Sequence, residues 1–113
     1  MTHPNVATAY NNIGVIYDTQ GNYTESLKYY QKALYIQQKV YGEEHPNVAL
    51  TYNNIGAIYK NMKDYDSALD YYHKALNIQK RLLGENHANV ATSYNNIGMI
   101  YRRKGDSDKA IEF

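Results

Sequence analysis

The sequence predicts an all-α protein, an α-solenoid in which antiparallel helix pairs stack one on the next. Three observations predict it. A 42-residue unit recurs in phase, the apolar residues within it fall at helical spacing, and a glycine stands inside the first helix of every copy. His3-Pro4-Asn5-Val6-Ala7 returns as His45-Pro46-Asn47-Val48-Ala49 and as His87-Ala88-Asn89-Val90-Ala91. Tyr10-Asn11-Asn12-Ile13-Gly14 returns as Tyr52-Asn53-Asn54-Ile55-Gly56 and Tyr94-Asn95-Asn96-Ile97-Gly98. The first two copies agree at 23 of 42 positions, so one structural unit is repeated. The chain divides into repeat one (3–44), repeat two (45–86) and a partial repeat three (87–113), all in a single array.

The first helix of each repeat is expected over residues 6–19, 48–62 and 90–104. Its apolar stripe is Val6, Tyr10, Ile13 and Tyr17, then Val48, Tyr52, Ile55 and Tyr59. Pro4 and Pro46 suit a first helical turn, where a missing N–H loses nothing. Asn5, Asn47 and Asn89 are alternative caps. A break follows at Gly21, Lys63 and Gly105. The second helix opens after Asn22, Asp64 or Asp106, and Glu25 three places beyond Asn22 suggests a capping box. That helix carries Tyr23, Leu27, Tyr30 and Leu34, then Tyr65, Leu69, Tyr72 and Leu76. Gly42 and Gly84 follow as expected left-handed stops. Gly14, Gly56 and Gly98 each cost about 1 kcal/mol relative to alanine in a helix. That cost implies a neighbouring helix too close for a side chain, with Ala33 and Ala75 as the expected small residues opposite.

Composition limits the chemistry. With no cysteine there is no thiolate metal site and no cysteine nucleophile. Lys+Arg number 12 and Asp+Glu 11, which removes the electrostatic footprint of a nucleic-acid binder. Apolar runs are too short to cross a bilayer, and the first five residues show no targeting signal. The expectation is a cytoplasmic protein with no nucleic-acid or membrane partner and no cofactor. Catalysis is not expected, because His3, His45 and His87 occupy one phase of the repeat and lie a full repeat apart, and no nucleotide, zinc or nucleophile motif occurs. The mean hydropathy of -0.71 reflects fourteen tyrosines, twelve of them in five repeat-equivalent columns. Such residues pack a ring while the hydroxyl reaches the wet edge of a thin core.

Tyr10, Ile13, Gly14, Tyr17, Gly21, Tyr23, Leu27, Tyr30 and Ala33 together resemble the tetratricopeptide repeat signature, with Ala68 and Ala110 where repeat one has Ser26. The period of 42 alone equally fits armadillo or HEAT repeats. The glycine–tyrosine–alanine pattern is what points to the tetratricopeptide family. The extra length, in a longer second helix and a Gly-Glu-x-His-x-Asn-Val connector, resembles the kinesin-light-chain type. Lys63, Ser107 and Ala88 depart from the pattern, and Phe113 falls within the third repeat's second helix.

The resemblance implies a right-handed superhelix whose first helices line a concave groove that binds a protein or peptide partner. Residues on the face away from the tyrosine stripe would line it: Thr8, Asn11, Val15 and Asp18, then Leu50, Asn53, Ala57, Lys60 and Asn61, then Thr92, Asn95, Met99, Arg102 and Arg103. An asparagine ladder, Asn11–Asn53–Asn95, would pair with the backbone of an extended peptide, because an amide offers both donor and acceptor. It would run beside an apolar strip, Val15–Ala57–Met99. Lys60, Arg102 and Arg103 would select acidic residues. The ladder reads equally as amides bonded to the next repeat, and the helix dipole alone favours cations at these helix ends. For Asn12, Asn54 and Asn96 the structural role is expected. The second function the sequence supports is self-association, a homo-oligomer stacked end to end through the incomplete third repeat.

Overall fold

In a computed structural model of the chain, which describes residues 4–84 and 86–105, five α-helices follow one another. They are α1 (Pro4–Thr19), α2 (Tyr23–Tyr41), α3 (Pro46–Asn61), α4 (Tyr65–Leu83) and α5 (Ala88–Lys104). No strand occurs among the described residues. α1 packs against α2 and α3 against α4, while α2 against α3 and α4 against α5 join successive pairs. The chain is an all-α helical-repeat solenoid. The second helix of repeat three, with the Asp106 cap, Ser107, Ala110 and Phe113, lies outside the described residues, as does His3.

The apolar stripe of each second helix does two jobs. Tyr30 and Leu34 of α2, backed by Tyr23 and Leu27, share a core with Val48, Tyr52, Ile55 and Ile58 of α3. Leu69, Tyr72 and Leu76 of α4 share the next core with Val90, Ile97 and Ile100 of α5. Val48, Ile55 and Ile58 of α3 and Val90, Ile97 and Ile100 of α5 have no exposed surface at all. Burying an isoleucine fully is worth about 1.5–3 kcal/mol, so most of the cohesion between repeats comes from these columns.

Tyr30 and Tyr72 also face back into their own repeats. A Cβ built on Gly14 would stand 2.8 Å from the Tyr30 ring, and one on Gly56 would stand 2.9 Å from the Tyr72 ring. The group that demands glycine is therefore a tyrosine ring, not Ala33 or Ala75. Ala33 is buried instead beside Ala7 and Ile36. Ser26 tightens the same crossing in repeat one by donating to the Gly14 carbonyl at 2.6 Å.

The helix ends correct several expectations. α3 and α5 are capped by His45 and His87, whose Nδ1 atoms accept from the backbone N–H of Asn47 at 3.0 Å and Asn89 at 3.1 Å. The asparagines are already inside the helix. The His45 ring also stacks on Tyr41, with centroids 4.0 Å apart, which ties the end of α2 to the start of α3. Asp64 caps α4 by accepting from the Ser67 N–H at 3.3 Å and its hydroxyl at 2.9 Å. Asn22 makes no side-chain cap bond, so the expected capping box does not form. Glu25 holds the place of Ser67 and has no hydroxyl to steady the cap. Gly42 and Gly84 do take positive φ, 84° and 86°, but with ψ of 171° and 162°. They lead into an extended connector rather than a left-handed turn, a region open essentially to glycine alone. Lys63, at φ 64°, holds the left-handed position that Gly21 and Gly105 occupy in the other repeats.

The ring-over-glycine contact has a direct test. Gly56→Ala is expected to lower stability by about 1–3 kcal/mol, the range of overpacking substitutions, because the Tyr72 ring is buried and cannot withdraw. Urea denaturation followed by circular dichroism measures it, and an unchanged midpoint would refute the contact's role.

Candidate functional site

The first helices carry the residues expected to read a ligand, and two hydrogen bonds show how these helices lie. Asn11 Nδ2 on α1 donates to Thr51 Oγ1 on α3 at 3.4 Å. Asn61 Nδ2, at the end of α3, donates to Asp18 Oδ1 near the end of α1 at 3.3 Å. The first bond joins the helices in their N-terminal halves and the second at their C-terminal ends, so α1 and α3 run side by side and parallel along the face that holds Asn11, Val15 and Asp18.

On that face Val15 is 48% exposed. Ala57, Lys60 and Met99 are half-buried in the equivalent columns, and Asn95, Arg102 and Arg103 are exposed. Among the described residues, Lys60, Arg102 and Arg103 have no carboxylate partner. Other cations are committed: Arg81 grips Glu44 at 2.9 and 2.5 Å, and Lys104 pairs with Asp66 at 2.8 Å. Arg103 lies close enough to Tyr72 to oppose the rise in that phenol's pKa.

The asparagine ladder divides. Asn95 is open, whereas Asn11 spends its amide donor on the next repeat. The Oδ1 atoms of Asn11 and Asn53 are buried with no hydrogen-bond partner. A buried acceptor left unpaired costs about 1–3 kcal/mol. The inter-repeat bond expected of Asn12 is thus made by Asn11. Successive helical residues are turned about 100° apart, and Asn12 points out to solvent.

Asn11 belongs to a buried polar seam that sequence reasoning missed. The Thr51 hydroxyl donates to Gln37 Oε1 at 2.6 Å and uses a lone pair to accept from Asn11. Ser93 donates to Gln79 Oε1 in the same way one repeat later. The signal was present: a glutamine repeats at 37 and 79 within an apolar stretch, opposite small residues at 51 and 93. Each seam inserts one directional bond into a wall of aliphatic contacts, and so fixes the register in which repeats stack.

The tyrosine columns form a second repeated constellation. Tyr29 lies between Tyr10 and Tyr17, with centroids 5.9 and 5.7 Å away, and Tyr71 lies between Tyr52 and Tyr59 at 6.0 and 5.6 Å. Lys32 and Lys74 each sit 5.0–5.5 Å over two of these rings. The Tyr52 hydroxyl donates to Glu43 and accepts from Gln38 at 3.2 Å. Burial first, and Glu43 second, push the Tyr52 pKa up to about 12, and burial does the same to Tyr72. Burial also lowers the pKa of His73, against the opposing pull of Asp70. An open hollow of about 440 Å³, lined by Tyr10, Gln31, Lys32, Tyr35 and Ile36, involves none of the nine ligand-reading candidates.

His45 and His87 are occupied as helix caps. Among the described residues no three His, Asp or Glu side chains converge as a metal site, and no helix is long and apolar enough to cross a membrane.

Comparison with known proteins adds to this geometry. The tetratricopeptide repeat model matches residues 5–70 and again 48–113. Among solved structures, BtubC (BKLC) from P. vanneervenii is similar at 34% identity and TM-score 0.87, over 96% of this chain and 43% of that one. The nearly identical repeats of a putative kinesin light chain from Podosopora anserina are similar at 20% identity and TM-score 0.83, over 99% of this chain and 53% of that one. The N-terminal domain of stress-induced protein-1 from C. elegans is similar at 17% identity and TM-score 0.79, over 96% of this chain and 79% of that one. The last two likenesses show the fold alone. The chain spans less than half the length of BtubC. No curated protein matches the chain.

Two measurements probe the seam and the buried phenols. Thr51→Val strands Gln37 Oε1 and is expected to cost about 1–3 kcal/mol, while Thr51→Ser, the residue found at 93, costs much less; urea midpoints that agree for both variants would refute the seam. In a spectrophotometric alkaline titration Tyr52 and Tyr72 should ionise last, near pH 12. Their folded pKa values lie above the unfolded value of about 10, so the fold favours the neutral phenol. That contribution is whole below pH 10 and is lost as the pH rises through about 12. Replacing either by Phe should remove one late-titrating group.

Proposed function

The chain belongs to the tetratricopeptide repeat family, whose arrays mediate protein–protein interaction, and on that premise we propose that its first helices form a groove binding an extended, acidic peptide. The observation that carries the proposal is the set of unpaired cations. Lys60, Arg102 and Arg103 stand in the last turns of α3 and α5 with no carboxylate partner among the described residues. The facing end of α1 carries Asp18, already engaged by Asn61. The field along the groove therefore rises toward α5, and the acidic part of a bound peptide would lie there. Rim charges of this kind govern encounter and selectivity more than raw affinity.

The asparagines contribute unequally. Asn95 offers both halves of its amide to a peptide backbone. Asn11 and Asn53 hold acceptors that no protein group satisfies. A peptide N–H that met one after a turn of the carboxamide would recover part of the cost of burying it. The role proposed is that of a scaffold, as is typical of the family.

A peptide array probed at low and high salt tests this reading. Acidic extended peptides should bind best, and binding should weaken as salt screens the cations. Arg102→Glu should lower affinity about tenfold at low salt, equivalent to ~1.4 kcal/mol, and less at high salt. Asn53→Ala should lower it at both. Unchanged binding in both variants would overturn the groove assignment.

A further inference from the structure

Two tyrosines fall outside the five packing columns. Tyr41 stacks on His45. Tyr35 has no such role: it lies on the outward side of α2, 59% exposed, and its equivalent in repeat two is Asn77. Lys39 sits over its ring, 5.3 Å from the centroid. Helical spacing sets Lys28, Lys32, Tyr35 and Lys39 on one stripe, and all four are exposed. None of the three lysines has a carboxylate partner among the described residues. The single carboxylate of α2, Glu25, lies in its first turn. The corresponding stripe of α4 is Asp70, Lys74, Asn77 and Arg81, where an anion offsets one cation and Arg81 is engaged by Glu44. That stripe is exposed too, although repeat one packs before it and α5 after it. The column therefore faces outward by its place in the repeat, whatever flanks it.

We propose that the outer stripe of α2 is a docking surface for an acidic helix of a partner protein, which sets carboxylates against Lys28, Lys32 and Lys39 and an apolar side chain on the Tyr35 ring. Charge complementarity selects the occupant, because a row of cations without internal partners attracts an anionic segment and repels a cationic one. Tyr35 supplies the anchor. A tyrosine offers a broad, rigid contact area at small entropic cost, and such residues dominate interface energetics. The helical form follows from the spacing: a second helix laid along α2 meets these residues turn by turn. An anionic membrane fits less well. α2 has already buried Tyr30, Leu34 and Ile36 inside the array, which leaves Tyr35 and Val40 as its exposed large apolar residues. The surface belongs to repeat one alone. On α4, Asp70 stands in the place of Lys28 and would repel a carboxylate, and Asn77 has no ring to offer. The stripe lies on a second helix and the peptide groove on the first helices, so the two readings are independent.

The test uses a stapled helical peptide with Glu at positions i, i+4 and i+11 and Leu at i+7, titrated against the chain by fluorescence anisotropy. It should bind, and less tightly at high salt, whereas a peptide with Lys at the three Glu positions should not. The double variant Lys28→Asp, Tyr35→Asn gives α2 the residues that α4 already carries at these places. It should therefore keep its helical circular dichroism while affinity for the acidic peptide falls at least about tenfold. Arg102→Glu, in the groove, should leave this binding unchanged; loss of binding in that variant would place the peptide in the groove and overturn the proposal. Equal binding by the double variant, equal binding of a scrambled peptide of the same composition, or no binding of the acidic helix at all would also overturn it. So would Tyr35-dependent binding to vesicles of phosphatidylserine and phosphatidylcholine with none to the peptide, because a lipid surface would then be the occupant.

Discussion

Everything in this array hangs on two tyrosine rings, Tyr30 and Tyr72. Each lies over a glycine of its own repeat, at a distance that no other residue allows, and each also forms part of the core shared with the following first helix. A single side chain thereby sets the approach of two helices within a repeat and closes the contact to the next. Interiors packed at near-crystalline density transmit such a constraint. Once the ring is seated, the positions of Ile55 and Ile58, or of Ile97 and Ile100, have little freedom left.

Apolar contact of this kind is strong but poorly directional, and stacked helices could slide by a turn at small cost. The buried bonds from Thr51 to Gln37 and from Ser93 to Gln79 oppose that slip. A buried acceptor left unpaired is costly, so the seam penalises wrong registers more than it rewards the right one. The histidine caps and the stack of His45 on Tyr41 act at the other end of the connector, where they hold the angle at which each new first helix begins. Register and entry angle together decide which columns of α1, α3 and α5 align, and hence where Lys60, Arg102 and Arg103 stand relative to the apolar strip.

Much of this was legible in the residues. The repeat period gave the architecture, because copies of one sequence fold alike and stack alike. The helical spacing of Tyr, Ile and Leu gave the five helices to within about a turn. In-helix glycine announced a close approach. Its partner was misread, since Ala33 and Ala75 are small but face elsewhere, and a flat ring can lie on a glycine as closely as a small residue can. Pro4 and Pro46 do fall in first turns and Asn22 and Asp64 at the second helices' N-caps, but the alternative asparagine caps of the first helices fail, because a histidine Nδ1 can do the work of an asparagine oxygen and only the backbone shows which residue precedes the first turn. In the candidate site, the columns were legible from spacing alone. The use of each amide was not, because Asn11 and Asn12 differ by about 100° of rotation and the neighbour that claims one of them lies a whole repeat away.

The sequence by itself determined that this chain is a stack of helix pairs built on tyrosine, since periodicity and composition are properties of the chain and need no partner to be read. Tertiary structure alone decided which tyrosine covers which glycine, which asparagine is spent on the seam, and which cations have no carboxylate partner among the described residues. Those are facts about distances between residues some forty positions apart, set by how repeats lean on one another, and no local pattern carries them.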